Sequence, residues 1–525
     1  MSWSRDVGAV ALADFRERSR TSKLIVIPVV LAYFAKLVTV DSTLVVGNTY
    51  TGVPTAAWYG GLVAGIGTTV LLLFGYPLIH GSIAHDRTTN VAEFVASAPL
   101  SNSSYLVGKW LSNFTLLAVV TGLLFGATVV SFLLQGTGPF NPVDMGAPFI
   151  LLTLPTMAVV SAAGVCFETL DTLRGTGGTV LYFLLAIVGV IGSIPPESPV
   201  DLTGLVALRQ SMASSIAAQY PGFEGSIISF AYTDTATDME MFRWAGLSVG
   251  SALLSRVPIF VITGGLLGVS VLSFDRFDDT QTWSLGLFDH GSSDAEATAE
   301  LLSPPLTELS RSGSDGDISL ASVTTRRFHL RRVFIAELKM ALRGHRRLWY
   351  AGMIVALVSA AVAPLKSLRS IVIPIALLLP LPVWSQLGAR EQIHRTQELI
   401  FATSNPLRLL AVSYLVGISV GTAVISPALV RYVLIGSSTG LLGAVTAVLF
   451  LPAAALAAGI WSGRPTLFEI GYLVAWYLGP MNGLGLFDYV GATQPPGSID
   501  IQIGYLVAAV VALIIASIGR QRQLA

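Results

Sequence analysis

Between Trp110 and Leu134 the chain carries no charged side chain over 25 residues. Wound as a helix, that stretch is about 37 Å long, enough to cross the roughly 30 Å hydrocarbon core of a bilayer. Many other apolar runs along the chain reach the roughly 20 residues that a crossing needs. In lipid, backbone groups must satisfy their own hydrogen bonds, which a run of this kind does as a helix. Composition agrees: 53% of the 525 residues are hydrophobic and 12% charged, against roughly 25% charged for an ordinary soluble domain. Mean hydropathy is +0.70. The expected fold class is an all-α polytopic membrane protein.

Charge and cysteine usage narrow the classes further. Formal net charge is zero, so nothing pulls the chain toward nucleic acid. Cys166 is the only cysteine, which excludes an intrachain disulfide framework and any multi-cysteine metal site. Residues 1–23 are too long and too mixed in charge to read as a signal peptide.

One polar stretch has an echo. Phe94-Val-Ala-Ser-Ala-Pro-Leu100 returns about three hundred residues later as Phe401-Ala-Thr-Ser-Asn-Pro-Leu407, with Tyr105-Leu-Val-Gly108 and Tyr414-Leu-Val-Gly417 downstream. Each copy follows an apolar run, has a polar lead-in and runs into another apolar segment. Any loop between membrane helices collects Ser, Pro and charge, but here the order of the matched residues is kept as well. That points to an internal duplication. Its start is marked by a second pair: Ala13-Asp14-Phe15-Arg16 lines up with Ala336-Glu337-Leu338-Lys339. Around the first, Val7, Val10, Ala11 and Phe15 share one face, as in a helix lying in the membrane surface.

Membrane helices are expected at about 24–40, 58–80, 109–134, 148–168, 177–194 and 252–274, then at 348–363, 370–388, 408–431, 437–461, 466–486 and 502–518. That makes about twelve, in two six-helix halves (1–274 and 326–525), each preceded by an interfacial helix. Residues 275–325 are rich in Ser, Asp, Gly and Thr and read as a flexible acidic linker. Arg16, Arg18, Arg20, Lys23, Arg87, Arg326, Arg327, Arg331, Arg332, Arg520 and Arg522 gather on one side. Loops 41–57 and 135–147 have no Lys or Arg, and 195–250 is acidic. By the positive-inside rule both termini, both echo loops and the linker are cytoplasmic. Lys366 and Arg369 fall in an outside turn, against the rule. Six helices per half is an even number, so the repeats are parallel.

No catalytic or metal constellation emerges. Gly108-Lys109 lacks the remainder of a phosphate-binding loop: Ser103 replaces its first Gly and Trp110 follows. His80, His85 and Asp86 lack metal-site spacing. Lys36, Arg256, Glu168 and Asp171 lie in or beside apolar segments, where each can snorkel to an interface. The Gly60–Gly67 and Gly264–Gly268 stretches are expected to favour close helix packing.

This layout is similar to the permease subunits of ATP-binding-cassette (ABC) exporters of the type-2 class. It shares an interfacial helix with an A-[DE]-[FL]-[RK] core, two membrane helices, then an inner loop reading Glu, Phe, Ser, Pro, Leu. The resemblance covers the whole chain in layout, and residue by residue only the two surface helices and the two loops. It implies ATP-driven export through the plasma membrane, with Glu93, Phe94, Ser97, Pro99, Leu100, Glu398, Phe401, Ser404, Pro406 and Leu407 as coupling elements. These sit in loops 81–108 and 389–407, docked on two copies of a separate ATPase. ATP and Mg would be bound by that partner and no cofactor or metal by this chain, which is a transporter subunit and not an enzyme. In each coupling element a short helix would carry an apolar knob, a Pro-set end and a capping hydroxyl. The alternatives are an ion-coupled secondary transporter with two six-helix repeats, and an integral-membrane enzyme or non-transporting sensor or assembly subunit. A carrier calls for carboxylates near mid-membrane, and no convincing pair is visible. The transported substrate is left open.

Overall fold

The computed structural model describes residues 3–523 except 20–25, 40–42, 47–48, 90, 171–172, 196–197, 199, 224–227, 232–238, 275–328, 344, 346, 395, 404, 482 and 493–498. Helices hold about 80% of the described residues. Seven are long and apolar enough to cross a bilayer: α3 (Ala56–Phe74), α6 (Asn102–Gln135), α7 (Pro142–Thr169), α10 (Ala252–Ser273), α14 (Pro406–Ile435), α15 (Ser438–Ser462) and α17 (Asp500–Arg522). The chain is a helical, multi-pass membrane protein. Between these lie α1 (Trp3–Ser19), α2 (Val26–Thr39), α4 (Ser82–Thr88), α5 (Val91–Ser97), α8 (Thr176–Gly192) and α9 (Leu205–Gln219). Toward the C-terminus come α11 (Leu330–Leu342), α12 (Arg347–Val362), α13 (Gln397–Thr403) and α16 (Thr466–Trp476).

Local chemistry sets many of the ends. Ser101 caps α6 by accepting from the Ser104 N–H at 3.1 Å, and Asn405 caps α14 by accepting from Leu407 N–H at 3.0 Å. Gly436 and Gly463, both left-handed, stop α14 and α15.

Four of the twelve expected spans are not single continuous helices: 58–80 is interrupted at Gly75 and 252–274 at Arg256, each near one end, and two more are broken further in. Residues 370–388 break into short turns, Ile373–Ala376 and Leu381–Trp384, because Pro374, Pro380 and Pro382 remove donors and clash with the preceding turn. Residues 466–486 are helical to Trp476, then open into a π-turn over Tyr477–Met481 that holds Pro480. The spans at 24–40, 177–194 and 348–363 fall on the shorter apolar helices α2, α8 and α12. The linker expected at 275–325 lies outside the described residues.

A small sheet also departs from an all-α expectation. Strands β1 (Thr43–Val46), β2 (Tyr50–Gly52), β3 (Ile228–Ala231) and β4 (Glu240–Phe242) form one sheet in the order β3-β1-β2-β4. β1 pairs antiparallel with both β2 and β3, and β2 pairs parallel with β4. Each strand has only three or four residues, too few to show alternation, and the two hairpin strands find their partners more than 180 residues away. The loops 41–57 and 195–250 therefore meet, with Trp58, Phe242, Trp244 and Leu208 buried beneath.

Glycines in α3 behave as expected. A Cβ on Gly60 would strike the Met145 backbone, and one on Gly61 the Trp244 ring. Gly264, Gly265 and Gly268 do not: a Cβ at each would meet open space, so that stretch serves no close packing. The largest core joins early and late segments. Tyr76, Phe183 and Tyr182 lie in one buried cluster with Trp384, Tyr472 and Trp476.

Candidate functional site

The two echo stretches fold alike: a short helix, a break, then a long apolar helix. On α5, Glu93 and Phe94 are exposed, Phe94 to 75% of its surface. Ser97 and Pro99 are exposed and Leu100 is half-buried. The Ser97 hydroxyl bonds back to the Phe94 carbonyl at 3.1 Å and caps no N-terminus. Ser101, four residues later, does the capping expected of it, because the helix after the break begins only at Asn102. In the second copy Pro406 is buried at the start of α14, and Leu407 and Glu398 are exposed. Ser404 lies outside the described residues. Asn405 holds the capping role there, at the position where the first copy has Ala98. Phe401 is half-buried, its ring 5.3 Å from the Arg520 guanidinium carbon.

Behind α5 lies a buried charge network that ties α1 to the rest. Lys109, on α6, gives hydrogen bonds to Asp14 Oδ1 at 2.6 Å and to the Ser82 carbonyl at 3.2 Å, and lies 2.8 Å from Asp86 Oδ2. Asp14 Oδ2 accepts from Ser112 at 2.6 Å and meets Arg18 at 3.3 Å. Asp86 also accepts from the Tyr105 hydroxyl at 2.6 Å. Burial raises the Asp14 carboxyl, but Arg18, Lys109 and the hydrogen bonds outweigh it and hold the group below its usual range. Phe15 is half-buried and Arg16 exposed. The A-[DE]-[FL]-[RK] core thus owes its acidic residue to an ion pair on the protein side of the helix. The second copy repeats the idea with other partners: Glu337 accepts from Arg390 at 3.1 Å, while Leu338 is half-buried and Lys339 exposed. There burial outweighs Arg390, and the Glu337 carboxyl is raised. Next to it Glu391 accepts from Arg520 at 3.0 Å.

Two residues expected to snorkel are sealed inside instead. Glu168 accepts from the backbone N–H groups of Gly81, Ser82, Ile83 and Ala84 at 2.6–3.3 Å, closing the start of α4 just after Gly81 turns left-handed. Arg256 is 0% exposed and donates to both the carbonyl and the carboxylate of Asp201. The partner in each case lies far away in sequence, so a local reading sees only a charge near a helix end. Asp171 lies outside the described residues, and Lys36 is exposed as expected. Arg369, the outside exception to the charge rule, donates to the Gly491 carbonyl, which fixes it locally.

Sequence reasoning missed Glu469. It sits on α16, 3% exposed, and accepts from Thr176 at the start of α8 at 2.6 Å. Thr176 lies 3.4 Å from Ser385, so three segments meet at this carboxyl. A Glu four residues into an otherwise apolar run was the available signal. Among the described residues no group of three or more His, Cys, Asp or Glu could hold a metal ion. Compared with models of protein families, with curated proteins and with solved structures, the chain finds no match in any of the three.

Proposed function

We propose that the chain is the membrane permease of an ABC transporter, most simply an exporter in the plasma membrane. It would comprise two parallel six-helix halves with both termini cytoplasmic, and two copies of a separate ATPase would hydrolyse ATP. The twelve crossings would be the seven long helices, the three shorter apolar helices and the two broken segments. The observation that carries this reading is Phe94, a large apolar ring 75% exposed on a short helix that leads into the long apolar α6. An exposed aromatic beside a polar rim is what a protein partner buries as an anchor. A short helix can carry a rigid-body push from such a partner into α6 without stretching. The test is co-expression with a candidate ATPase, followed by detergent pull-down and an ATP hydrolysis assay. Wild type should retain and stimulate the ATPase, and Phe94→Ala/Phe401→Ala should lose both. Failure of any ATPase to bind, under conditions where an established permease pair holds, would overturn the reading.

Glu469 favours a second reading, an ion-coupled carrier. It is a carboxyl buried where segments from both halves of the chain meet, held by Thr176, in no Arg or Lys ion pair among the described residues and within electrostatic reach of His80. Ionisable groups buried in a membrane protein mark ion pathways often enough to be tested first. On that reading, vesicles holding the chain alone take up a fluorescent amphiphile under an imposed proton or sodium gradient. Glu469→Gln abolishes that uptake. Uptake that needs both ATP and an ATPase, and survives Glu469→Gln, removes this reading.

A further inference from the structure

The two surface helices differ in charge. On and just after α1, Arg5, Arg16, Arg18 and Arg20 meet Asp6, Asp14 and Glu17, a net of one positive charge, and Glu17 reaches His85 at 2.7 Å. On and just after α11, Arg331, Arg332, Lys339 and Arg343 face a single acid, Glu337, and Arg390 already engages that acid. No ion pair among the described residues holds any of the four cations. Arg332, Lys339 and Arg343 recur at i, i+7 and i+11, which sets them along one side of the helix. All three are exposed, while Val333, Phe334, Glu337, Leu338 and Ala341 turn toward the protein.

Apolar side chains flank that cationic stripe. Ile335 is 39% exposed and Met340 50%. Bare water disfavours such flanks, and a headgroup layer accommodates both parts, with phosphates for the cations and the acyl boundary for the apolar groups. The chain also brings the stripe to a bilayer. The apolar helix α12 begins at Arg347, four residues after Arg343.

We infer that the exposed face of α11 is a docking site for anionic phospholipid headgroups, and that α1, with the smaller net charge, has a far weaker preference. The inference needs only the membrane setting and not an ATPase partner. Glu337 and Arg390 would carry the consequence inward: they join the opposite face of α11 to the segment leading into α13, so headgroup occupancy would bear on the second echo element.

The test is hydrogen–deuterium exchange on the full chain, reconstituted in vesicles of phosphatidylcholine alone and of phosphatidylcholine with an equal amount of phosphatidylglycerol. Each cation at an anionic surface contributes roughly a fivefold gain in partitioning, so exchange over 330–342 should slow roughly tenfold or more with phosphatidylglycerol. High salt should remove the difference. Arg332→Gln/Lys339→Gln/Arg343→Gln should return exchange in the anionic vesicles to the phosphatidylcholine level, while α1 responds far less to the lipid and not at all to the substitutions. Equal exchange in the two lipids overturns the proposal. So does an anionic-lipid effect that survives the triple substitution or high salt, since another occupant, such as a second copy of the chain, would then be covering the face.

Discussion

Lys109→Met should destabilise the protein by about 3–5 kcal/mol, the cost of breaking a buried ion pair and leaving its acids behind. Lys109 is 3% exposed and touches Asp14, Asp86 and the Ser82 carbonyl, so it and Arg18 together offset two buried carboxylates. Methionine keeps the volume and removes the charge. Unfolding followed by circular dichroism in detergent, with Lys109→Arg as the milder comparison, measures the loss. Asp14→Asn/Asp86→Asn/Lys109→Met should recover much of it, because the stranded charges go as well. A Lys109→Met protein as stable as wild type would show that the network contributes nothing.

The deficit should also depend on pH, with a definite sign. In wild type the Asp14 carboxyl is held below its ordinary value of 3.8. Its stabilising contribution is therefore full above that value and is lost as pH falls through the depressed folded one. Without Lys109, burial gains on the remaining pull of Arg18 and the folded value rises. The variant then regains stability on acidification as Asp14 takes up its proton. The two proteins should converge as pH drops toward 4 and differ most at neutral pH. A gap that widens on acidification would place the strain elsewhere.

How much of this could be read from the chain depends on the range of each interaction. Long apolar helices follow from residues next to one another, and α3, α6, α7, α10, α14, α15 and α17 fall where hydropathy puts them. The echo stretches could be read because their order is kept over seven residues. Both become short helices, and the position that caps α14 is Asn405 where the first copy has Ala98. The partners of Glu168 and Arg256, and the Lys109 and Ser112 that hold Asp14 besides its helix neighbour Arg18, could not be read, because each lies tens of residues away in the sequence. The broken spans were visible in principle. Pro374, Pro380 and Pro382 lie within nine residues, and hydropathy alone gives them no weight against the leucines around them. The sheet left no local trace, since three-residue strands carry no period.

Phe94→Ala should weaken binding of the proposed ATPase by roughly thirtyfold or more, the size of a hot-spot loss of about 2 kcal/mol. Phe401→Ala should weaken it much less. The ring of Phe94 is 75% exposed and already presented, so its removal takes away contact area while leaving the fold intact. Phe401 is half-buried beneath Arg520, whose guanidinium is itself sealed from solvent and bound to Glu391. A partner reaching Phe401 must compete with that cation, and a desolvated cation–π contact is worth about 2 kcal/mol. The two substitutions should therefore separate in a paired measurement of affinity and of unfolding temperature. Phe94→Ala should lower affinity at unchanged unfolding temperature, and Phe401→Ala should lower the unfolding temperature with a smaller change in affinity. Equal losses of affinity would mean that Arg520 gives way on docking. Arg520 stands near the end of α17, so the contact that shields Phe401 also links α13 to a membrane helix. Among the described residues the first echo has no such clasp on Phe94, and its route inward runs through the long helix α6 and the Lys109 network beside it. If the two elements take equivalent partners, the inequality must come from this difference in what each aromatic ring already touches.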